Sequence, residues 1–194
     1  RYPYLGRSFG ELQGDVNGIV KTVVQDLLDH KVIAWYDGKS EIGPRALGHR
    51  SFLGIPDSKE MRDRLSVQIK KREPYRPVAP IILEADVADW FETSKPSPYM
   101  TFAPSARDCT QKYAPAIVHA DNTSRLQTLS ESSNPTLHKI LTAIKDNTGV
   151  PILMNTSLNT AGEPLVDTPS DAFATFKESG ADVLYLNGER HVNR

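Results

Sequence analysis

The last third of the sequence alternates helix-like and strand-like segments, and this order limits the possible folds more than any other feature. Hydrophobic spacing and turn residues predict helices over 134–149 and 168–180 and strands over 150–154 and 183–186. A strand, a loop, a helix and a second strand in this order normally give two parallel strands joined by a right-handed crossover. We therefore predict an α/β fold in which helices flank a twisted, mixed β-sheet.

The preceding part of the chain contains further segments of both kinds. The spacing of apolar residues predicts helices over 16–30 and 59–69, strands over 31–36 and 78–83, and a hairpin made of residues 116–119 and 125–129. Pro80 interrupts the strand over 78–83, which indicates an edge strand or a bulge. Between residues 86 and 115, a short helical turn around Trp90 precedes a Pro-rich and Ser-rich stretch typical of a loop or lid.

Length and composition limit the number of domains and the kinds of partner. With 194 residues, of which 39% are hydrophobic, the chain can bury one good core, so we predict a single domain over residues 1–194. The formal net charge of −1 gives no overall attraction to nucleic acid or to an acidic membrane, so any anion site must be local. The single cysteine, Cys109, excludes an internal disulfide and fits a reducing compartment.

The ends and the apolar segments of the sequence indicate where in the cell the protein is found. No segment has the length and hydrophobicity of a membrane-spanning helix, and the N-terminus lacks the pattern of a signal peptide. We therefore expect a cytoplasmic protein. Because the first residue is Arg1 rather than Met, we also expect a domain excised from a longer polypeptide.

Two arginines stand among glycines and a proline in residues 43–51. Glycines let a backbone come close to a ligand, and guanidinium groups match the oxygens of phosphate or carboxylate in pairs. Arg45 and Arg50 are therefore candidates for anion binding. The alternative is a surface loop in which they pair with Glu41 or Asp37.

A second basic segment extends from Lys70 to Arg76 and contains four cations, next to prolines that favour an extended backbone. In an extended chain, residues two apart share a face, so Lys70 and Arg72 would point the same way and form a two-pronged phosphate clamp. The alternative is a solvated helix end. It accounts for Lys70 and Lys71 but not for Arg76, which lies between the two prolines.

Residues 155–164 follow a predicted buried strand and are rich in hydroxyl and amide side chains. Ligands of open α/β sheets bind outside the carboxyl ends of strands. Ser157 and Asn159 are therefore candidates for holding phosphate oxygens or a small planar amide, and Asn155 is a further candidate for substrate binding. The alternative is ordinary turn chemistry, in which these side chains cap the strand.

Polar residues occupy every second position from His119 to Gln127. In an extended segment, His119, Asp121, Thr123 and Arg125 would all lie on one face and are candidates for substrate binding. The alternative is the solvent-facing side of a hairpin. His119 and Asp121 also have the spacing of a metal-ligand pair, but the sequence shows no third ligand, so no metal site is predicted.

These four polar stretches carry motifs in a fixed order. They are Gly-Pro-Arg-Ala-Leu-Gly-x-Arg-Ser from Gly43, Lys-x-Arg-Glu-x-x-Arg-Pro from Lys70, His-x-Asp-x-Thr-x-Arg-x-Gln from His119 and Asn-Thr-Ser-x-Asn-x-x-Gly-Glu-Pro from Asn155. Together they resemble the C-terminal domain of the carbamoyltransferase family that includes nodulation and antibiotic O-carbamoyltransferases. One such motif would be weak, whereas four in a consistent order are specific.

The resemblance implies a YrdC-like domain, the twisted α/β fold shared with enzymes that make threonylcarbamoyl adenylate. Those enzymes use a Lys-x-Arg and a Ser-x-Asn signature at the nucleotide, and Lys70, Arg72, Ser157 and Asn159 match both halves. These four are therefore the expected catalytic residues. The family also implies a separate N-terminal domain of the actin and sugar-kinase type, which performs the acceptor step and which residues 1–194 do not include.

The resemblance also implies a reaction: ATP and carbamoyl phosphate form a carbamoyl adenylate, whose carbamoyl group passes to the hydroxyl of a small-molecule acceptor. Lys70 and Arg72 would bind phosphates, and Ser157 and Asn159 would bind phosphates or the carbamoyl amide. Supporting positive charge would come from Arg45, Arg50, Arg76 and Arg125. ATP is expected to bind with Mg²⁺ bridging its phosphates.

Two other functions stay open from the sequence. The same arginines could follow the backbone of an RNA molecule, although the net charge near zero argues against a nucleic-acid partner. The other is a catalytically silent regulatory or structural domain that packs on its catalytic neighbour and keeps the pocket without turnover. No membrane partner is expected.

Overall fold

The computed structural model describes residues 3–193, which contain seven strands and six α-helices. The strands are β1 (Ile33–Tyr36), β2 (Arg50–Gly54), β3 (Ala79–Leu83), β4 (Gln127–Leu129), β5 (Ile152–Ser157), β6 (Val183–Leu186) and β7 (Glu189–Val192). The helices are α1 (Val16–Leu28), α2 (Lys59–Asp63), α3 (Val87–Trp90), α4 (Asp108–Tyr113), α5 (Pro135–Thr148) and α6 (Pro169–Ser179). Helix α2 continues as a π-helical segment over Arg64–Ile69, and 3₁₀ turns occupy Glu84–Asp86 and Pro115–Ile117.

The strands form one sheet in the order β4-β3-β5-β2-β1-β6-β7. The pairs β3–β4 and β1–β6 are parallel and the other neighbouring pairs are antiparallel. This confirms the prediction of an α/β fold with a mixed sheet. Strands β5 and β6 run in the same direction, but β2 and β1 lie between them, so they do not pair directly.

Helices cover both faces of the sheet, because successive strand residues point to opposite faces and both sets are apolar. On β1, Ala34 and Tyr36 belong to one core, and Ile33 and Trp35 belong to the other. Helices α2 and α6 close the first core, and α1 and α5 close the second. Polar chemistry is therefore left to the strand ends and the loops that join them.

The strand directions bring four loops to one edge of the sheet. Strands β1 and β5 end at this edge, whereas β2, β3 and β4 begin there. Loops 37–49, 70–78, 118–126 and 158–168 therefore meet, and we call their meeting place the polar edge. These loops carry most of the residues of the four sequence motifs.

Most local predictions are confirmed within a few residues. The side chain of Asn134 caps α5 by accepting the backbone N–H of Leu137, and Gly149 ends the helix in the left-handed region. The predicted strand over 150–154 extends to Ser157, so that part of the last motif belongs to β5 rather than to a loop.

Two strands were not predicted. Strand β2 is buried along its whole length between β1 and β5, although it begins with an arginine and ends with a glycine. Strand β7 follows a tight turn in which Asn187 and Gly188 both have positive φ. An Asn-Gly pair is the strongest short-range signal of a hairpin, and it could have revealed β7 from the sequence.

The predicted hairpin of residues 116–119 and 125–129 is wrong. Pro115–Ile117 forms a 3₁₀ turn, and β4 pairs in parallel with β3. The pairing partner was therefore a remote strand rather than the neighbouring segment. Within residues 86–115, the predicted helical turn around Trp90 forms α3, whereas the stretch predicted as a loop or lid also contains α4.

Pro80 lies on an inner strand, so the prediction of an edge strand is wrong. Strand β3 has β5 on one side and β4 on the other. Pro80 pairs with Met154 of β5, while the ladder with β4 begins only at Ile81. The absence of an N–H on Pro80 therefore costs the β3–β4 ladder no hydrogen bond.

Replacing Gly48 by alanine should destabilise the fold by about 2–4 kcal/mol. Gly48 has a φ of +103°, and an added Cβ would lie 2.5 Å from Cδ2 of Leu137 on α5, so backbone strain and overpacking act together. Gly162→Ala is the matched control, because Gly162 has a φ of +85° but nothing within 4 Å of an added Cβ. Its expected loss is about 1 kcal/mol. Urea denaturation measures both, and equal losses would contradict the close packing of Gly48.

Candidate functional site

The side chain of Lys70 is buried at the polar edge and connects two loops. It is 2% exposed, and its Nζ donates to the carbonyl oxygens of Ser157 at 2.7 Å and Asn159 at 2.5 Å, and also to Oδ1 of Asn159. The Oγ of Ser157 lies 3.3 Å from the same Nζ and donates to Oδ1 of Asn159 at 2.6 Å. Lys70 therefore orders the turn that follows β5.

The predicted two-pronged clamp of Lys70 and Arg72 does not form. The backbone of Lys70 is helical, with φ −87° and ψ −5°, and Lys71 has a φ of +51°, so the segment is not extended. Lys70 points into the protein, whereas Nη1 of Arg72 donates to Oγ1 of Thr156 at 3.0 Å. The Lys-x-Arg and Ser-x-Asn halves do meet, but Lys70 and Asn159 use their polar atoms on each other.

Four arginines gather beside this turn, and we call Arg45, Arg72, Arg76 and Arg125 the arginine cluster. Burial lowers the pKa of Arg125, and the positive charges of the other three lower it further. Within residues 3–193, three of the four have no salt bridge to a carboxylate, and Arg76 has only a 3.7 Å contact with Glu73. The Nε of Arg125 is also buried without a partner. Such a concentration of positive charge favours the binding of an anion.

A buried carboxylate shapes the loop that presents Arg45. Glu41 is 5% exposed, and its Oε1 accepts the backbone N–H groups of Leu47 at 2.6 Å and His49 at 2.9 Å. Glu41 thus holds the backbone instead of pairing with Arg45. The alternative of a surface loop in which the arginines pair with Glu41 or Asp37 is therefore wrong.

Arg50, a predicted substrate-binding residue, lies apart from the arginine cluster. It is fully buried, and its guanidinium donates to the carbonyl oxygens of Asp37 at 2.8 Å, Gly38 at 2.8 Å and His49 at 3.0 Å. Its Cζ also lies 3.5 Å from the ring centroid of Tyr36. Arg50 therefore fixes the loop after β1, and this geometry does not support its predicted contact with substrate.

Asn155 lies on β5 beside the arginine cluster and is 1% exposed. Its Nδ2 donates to the carbonyl oxygen of Ala46 at 3.1 Å and to Oε1 of Gln127 at 2.7 Å. Nε2 of Gln127 donates in turn to the carbonyl oxygen of Leu47 at 2.9 Å. Asn155 lines a small cavity of about 30 Å³, together with three members of the arginine cluster, Arg45, Arg72 and Arg125.

His119, Asp121 and Thr123 form a local turn rather than one face of a strand. Oγ1 of Thr123 donates to Oδ1 of Asp121 at 2.7 Å and lies 3.1 Å from Nδ1 of His119. Burial lowers the pKa of His119, opposed by the charge of Asp121 and assisted by that of Arg125. Of the predicted polar row, Arg125 is the member that joins the cluster. In the part of the chain that the structure describes, no three His, Cys, Asp or Glu side chains come together as metal ligands.

A larger open cavity of about 530 Å³ adjoins the small one at Pro77. Arg76, Tyr75 and His119 line it. Its volume falls within the range of about 300–1,000 Å³ that is usual for small-molecule sites. The polar edge therefore combines a small cationic cavity with an adjoining space large enough for the rest of a ligand.

Two residues that build the site were not predicted. Thr156 contacts Arg72, and strand alternation could have placed it on the face opposite Asn155 and Ser157. Glu41 shapes the loop of Arg45, but nothing in the sequence distinguishes it from a solvent-exposed glutamate.

Comparison with known sequences gives one family and several relatives. Residues 24–192 match the family described as the carbamoyltransferase C-terminus. The nodulation protein NolO of Bradyrhizobium diazoefficiens is 44% identical over 158 residues, which cover 80% of this chain and 29% of NolO. The 3'-hydroxymethylcephem-O-carbamoyltransferase of Amycolatopsis lactamdurans is 41% identical over 141 residues, which cover 73% of this chain and 26% of that protein. The chain thus spans less than a third of the length of these relatives.

Comparison with solved structures supports the YrdC-like fold. Full-length HypF in its phosphate- and nucleotide-bound form matches with a TM-score of 0.59 at 19% identity, over 97% of this chain and 23% of HypF. YciO of E. coli matches with a TM-score of 0.58 at 12% identity, over 98% of this chain and 95% of YciO. The fold of this chain is therefore also the fold of nearly the whole YciO chain. No helix between residues 3 and 193 has the length and apolar character needed to cross a membrane.

Replacing Lys70 by methionine should change how stability depends on pH. Burial, and then the positive charge of Arg72, lowers the pKa of Lys70 to about 7, from an ordinary value of 10.5. Between these values the unfolded chain holds more protons than the folded one. The contribution of Lys70 to the free energy of unfolding therefore rises with pH, by at most about 1.4 kcal/mol per pH unit.

Urea denaturation of both proteins between about pH 7 and 9 measures this effect. The free energy of unfolding of the wild type, minus that of Lys70→Met, should increase with pH. A difference that stays constant over this range would contradict a buried, easily deprotonated Lys70.

Proposed function

Because this chain belongs to the carbamoyltransferase C-terminus family, we propose that it carries the carbamoyl-activating half of an O-carbamoyltransferase. In this proposal it binds ATP and carbamoyl phosphate and forms a carbamoyl adenylate. A separate N-terminal domain of the same polypeptide then transfers the carbamoyl group to the hydroxyl of a small molecule. The relatives are more than three times as long as the part that they share with this chain, which leaves room for such a domain. We expect the reaction in the cytoplasm, where ATP is made and used.

The arginine cluster is the observation that carries this proposal. Four guanidinium groups lie together, and of these four only Arg76 contacts a carboxylate of the described residues, at the long distance of 3.7 Å. Guanidinium groups cannot lose their charge at neutral pH, so their mutual repulsion is relieved by a bound anion. A polyphosphate with several negative charges fits this requirement better than a singly charged ligand does.

The proposed reaction has two steps that balance. Water cleaves carbamoyl phosphate to carbamate and inorganic phosphate. An oxygen of the carbamate then attacks the α-phosphorus of ATP, the bond from that phosphorus to the bridging oxygen breaks, and pyrophosphate leaves. The attacking and the attacked groups are both anionic, so fixed cations accelerate the step by reducing their repulsion. The protein supplies no nucleophile of its own.

The contacts within the site divide the work among its residues. Arg72 and Arg125 line the small cavity and would bind phosphate oxygens, with the exposed Arg45 and Arg76 adding charge. Lys70, with Ser157 and Asn159 as its acceptors, would hold the turn beneath them. The adjoining cavity of about 530 Å³ would take the nucleoside.

In this proposal the nucleotide brings Mg²⁺ with it. Residues 3–193 provide no cluster of three ligating side chains, and Mg²⁺ often binds mainly through substrate phosphates and water. When bound, it would neutralise part of the charge of the triphosphate. The arginine cluster would orient the phosphates that carry it.

Calorimetric titration with MgATP tests the proposal. Arg72→Ala and Arg125→Ala should each weaken binding about tenfold, because each removes charge-assisted hydrogen bonds to phosphate. Lys139→Ala is the control, since Lys139 is an exposed cation on α5, and it should bind ATP as the wild type does. Equal binding by all four proteins would place the site elsewhere. RNA binding with a steep salt dependence, in the absence of ATP binding, would instead support an RNA-binding module.

A further inference from the structure

One residue that lines the small cavity carries a polar atom that does not suit a phosphate. The Oδ1 atom of Asn155 is buried and has no hydrogen-bond partner. It is an acceptor in a residue that lines a cavity together with Arg45, Arg72 and Arg125. A phosphate oxygen is itself an acceptor at neutral pH, so it would be repelled by Oδ1 while the arginines attract it.

Two neighbours fix which end of the Asn155 amide is presented. Nδ2 donates to the carbonyl oxygen of Ala46 and to Oε1 of Gln127, so both of its hydrogens are used. Gln127 cannot turn to offer its own amide nitrogen, because that nitrogen donates to the carbonyl oxygen of Leu47. Exchanging the oxygen and nitrogen of Asn155 would place acceptors against acceptors. The orientation of Asn155 is therefore determined by hydrogen bonding and leaves Oδ1 for another donor.

An unpaired buried acceptor destabilises the protein, and this cost is recovered when a donor arrives. A ligand that combines a phosphate with an adjacent N–H group satisfies both parts of the cavity at once. Carbamoyl phosphate has this composition, because its NH₂ group lies two bonds from the oxygen that carries the phosphate.

On the basis of the proposed function, we infer that Oδ1 of Asn155 accepts a hydrogen bond from the NH₂ of the carbamoyl group and thereby selects the carbamoyl donor. An acetyl phosphate has a methyl group at the same place. It would fill the same space but leave Oδ1 unpaired, and a site built to bond an N–H group rejects the analogue that lacks one. Asn155 is thus a specificity-determining residue, and Gln127 is the residue that positions it.

Two stable phosphonates form a matched pair for testing this inference. Phosphonoacetamide carries the NH₂ group, and 2-oxopropylphosphonate carries a methyl group in its place, while both keep the carbonyl and the phosphonate. Calorimetry should show that the wild type binds the amide about tenfold more tightly than the ketone. In Asn155→Ala this ratio should fall to about one. Asn147→Ala, which removes an exposed asparagine from α5, should keep the wild-type ratio.

The outcomes separate the inference from the proposed function. If the wild type binds both phosphonates equally, the anion site stands and the role of Asn155 is wrong, whether or not Asn155→Ala folds. If a folded Asn155→Ala still prefers the amide, another residue reads the NH₂ group. If neither phosphonate binds to the wild type, the cationic cavity is not the donor site and the proposed function fails together with the inference. Far-UV circular dichroism establishes that each variant is folded.

Discussion

The contact between Lys70 and the turn after β5 is the interaction on which the polar edge depends. One ammonium group donates to the carbonyl oxygens of Ser157 and Asn159 and to the side chain of Asn159, with almost no access to water. It connects the end of the π-helical segment after α2 to the inner strand β5. The loop of Arg72 and the strand of Thr156 are thereby held side by side. All acceptors in this contact are neutral, so it adds no negative charge that could compensate the arginines of the edge.

The cations of the polar edge fall into two classes, which differ in how deeply their side chains are buried. Lys70 and Arg50 are buried, and their donors are used on main-chain oxygens, so they shape loops. Arg72 and Arg125 are half-buried, and Arg45 is exposed, and they remain without carboxylate partners among residues 3–193. The hydrogen bonds of the buried cations thus hold like charges close together. Their mutual repulsion is relieved by a bound anion, so anion binding stabilises the folded state.

Local signals in the sequence predicted most of the helices and strands, whereas remote partners decided the rest. The cap at Asn134 and the glycine at position 149 are local, and α5 was predicted closely. Strand β2 was missed because its burial depends on β5 as well as on β1, and β5 begins only at Ile152. The hairpin prediction failed for the same reason, since β4 pairs with β3.

The site shows the same limit. The motifs mark loops that meet at the polar edge, and Arg45, Arg72, Arg76 and Arg125 come together there. The sequence does not distinguish a cation that binds a ligand from one that holds a loop. Lys70 and Arg72 point in different directions because the backbone turns at Lys71, and the sequence did not reveal this turn. Nor does it show that Asn155 keeps a free oxygen, since that depends on Ala46 and Gln127.

The central claim is that this chain activates a carbamoyl group as an adenylate. Exchange of labelled pyrophosphate into ATP measures the reversal of that step directly. We predict exchange that requires carbamoyl phosphate as well as Mg²⁺ and that is lost in Arg72→Ala. A folded chain that binds ATP and carbamoyl phosphate but shows no such exchange would contradict the account.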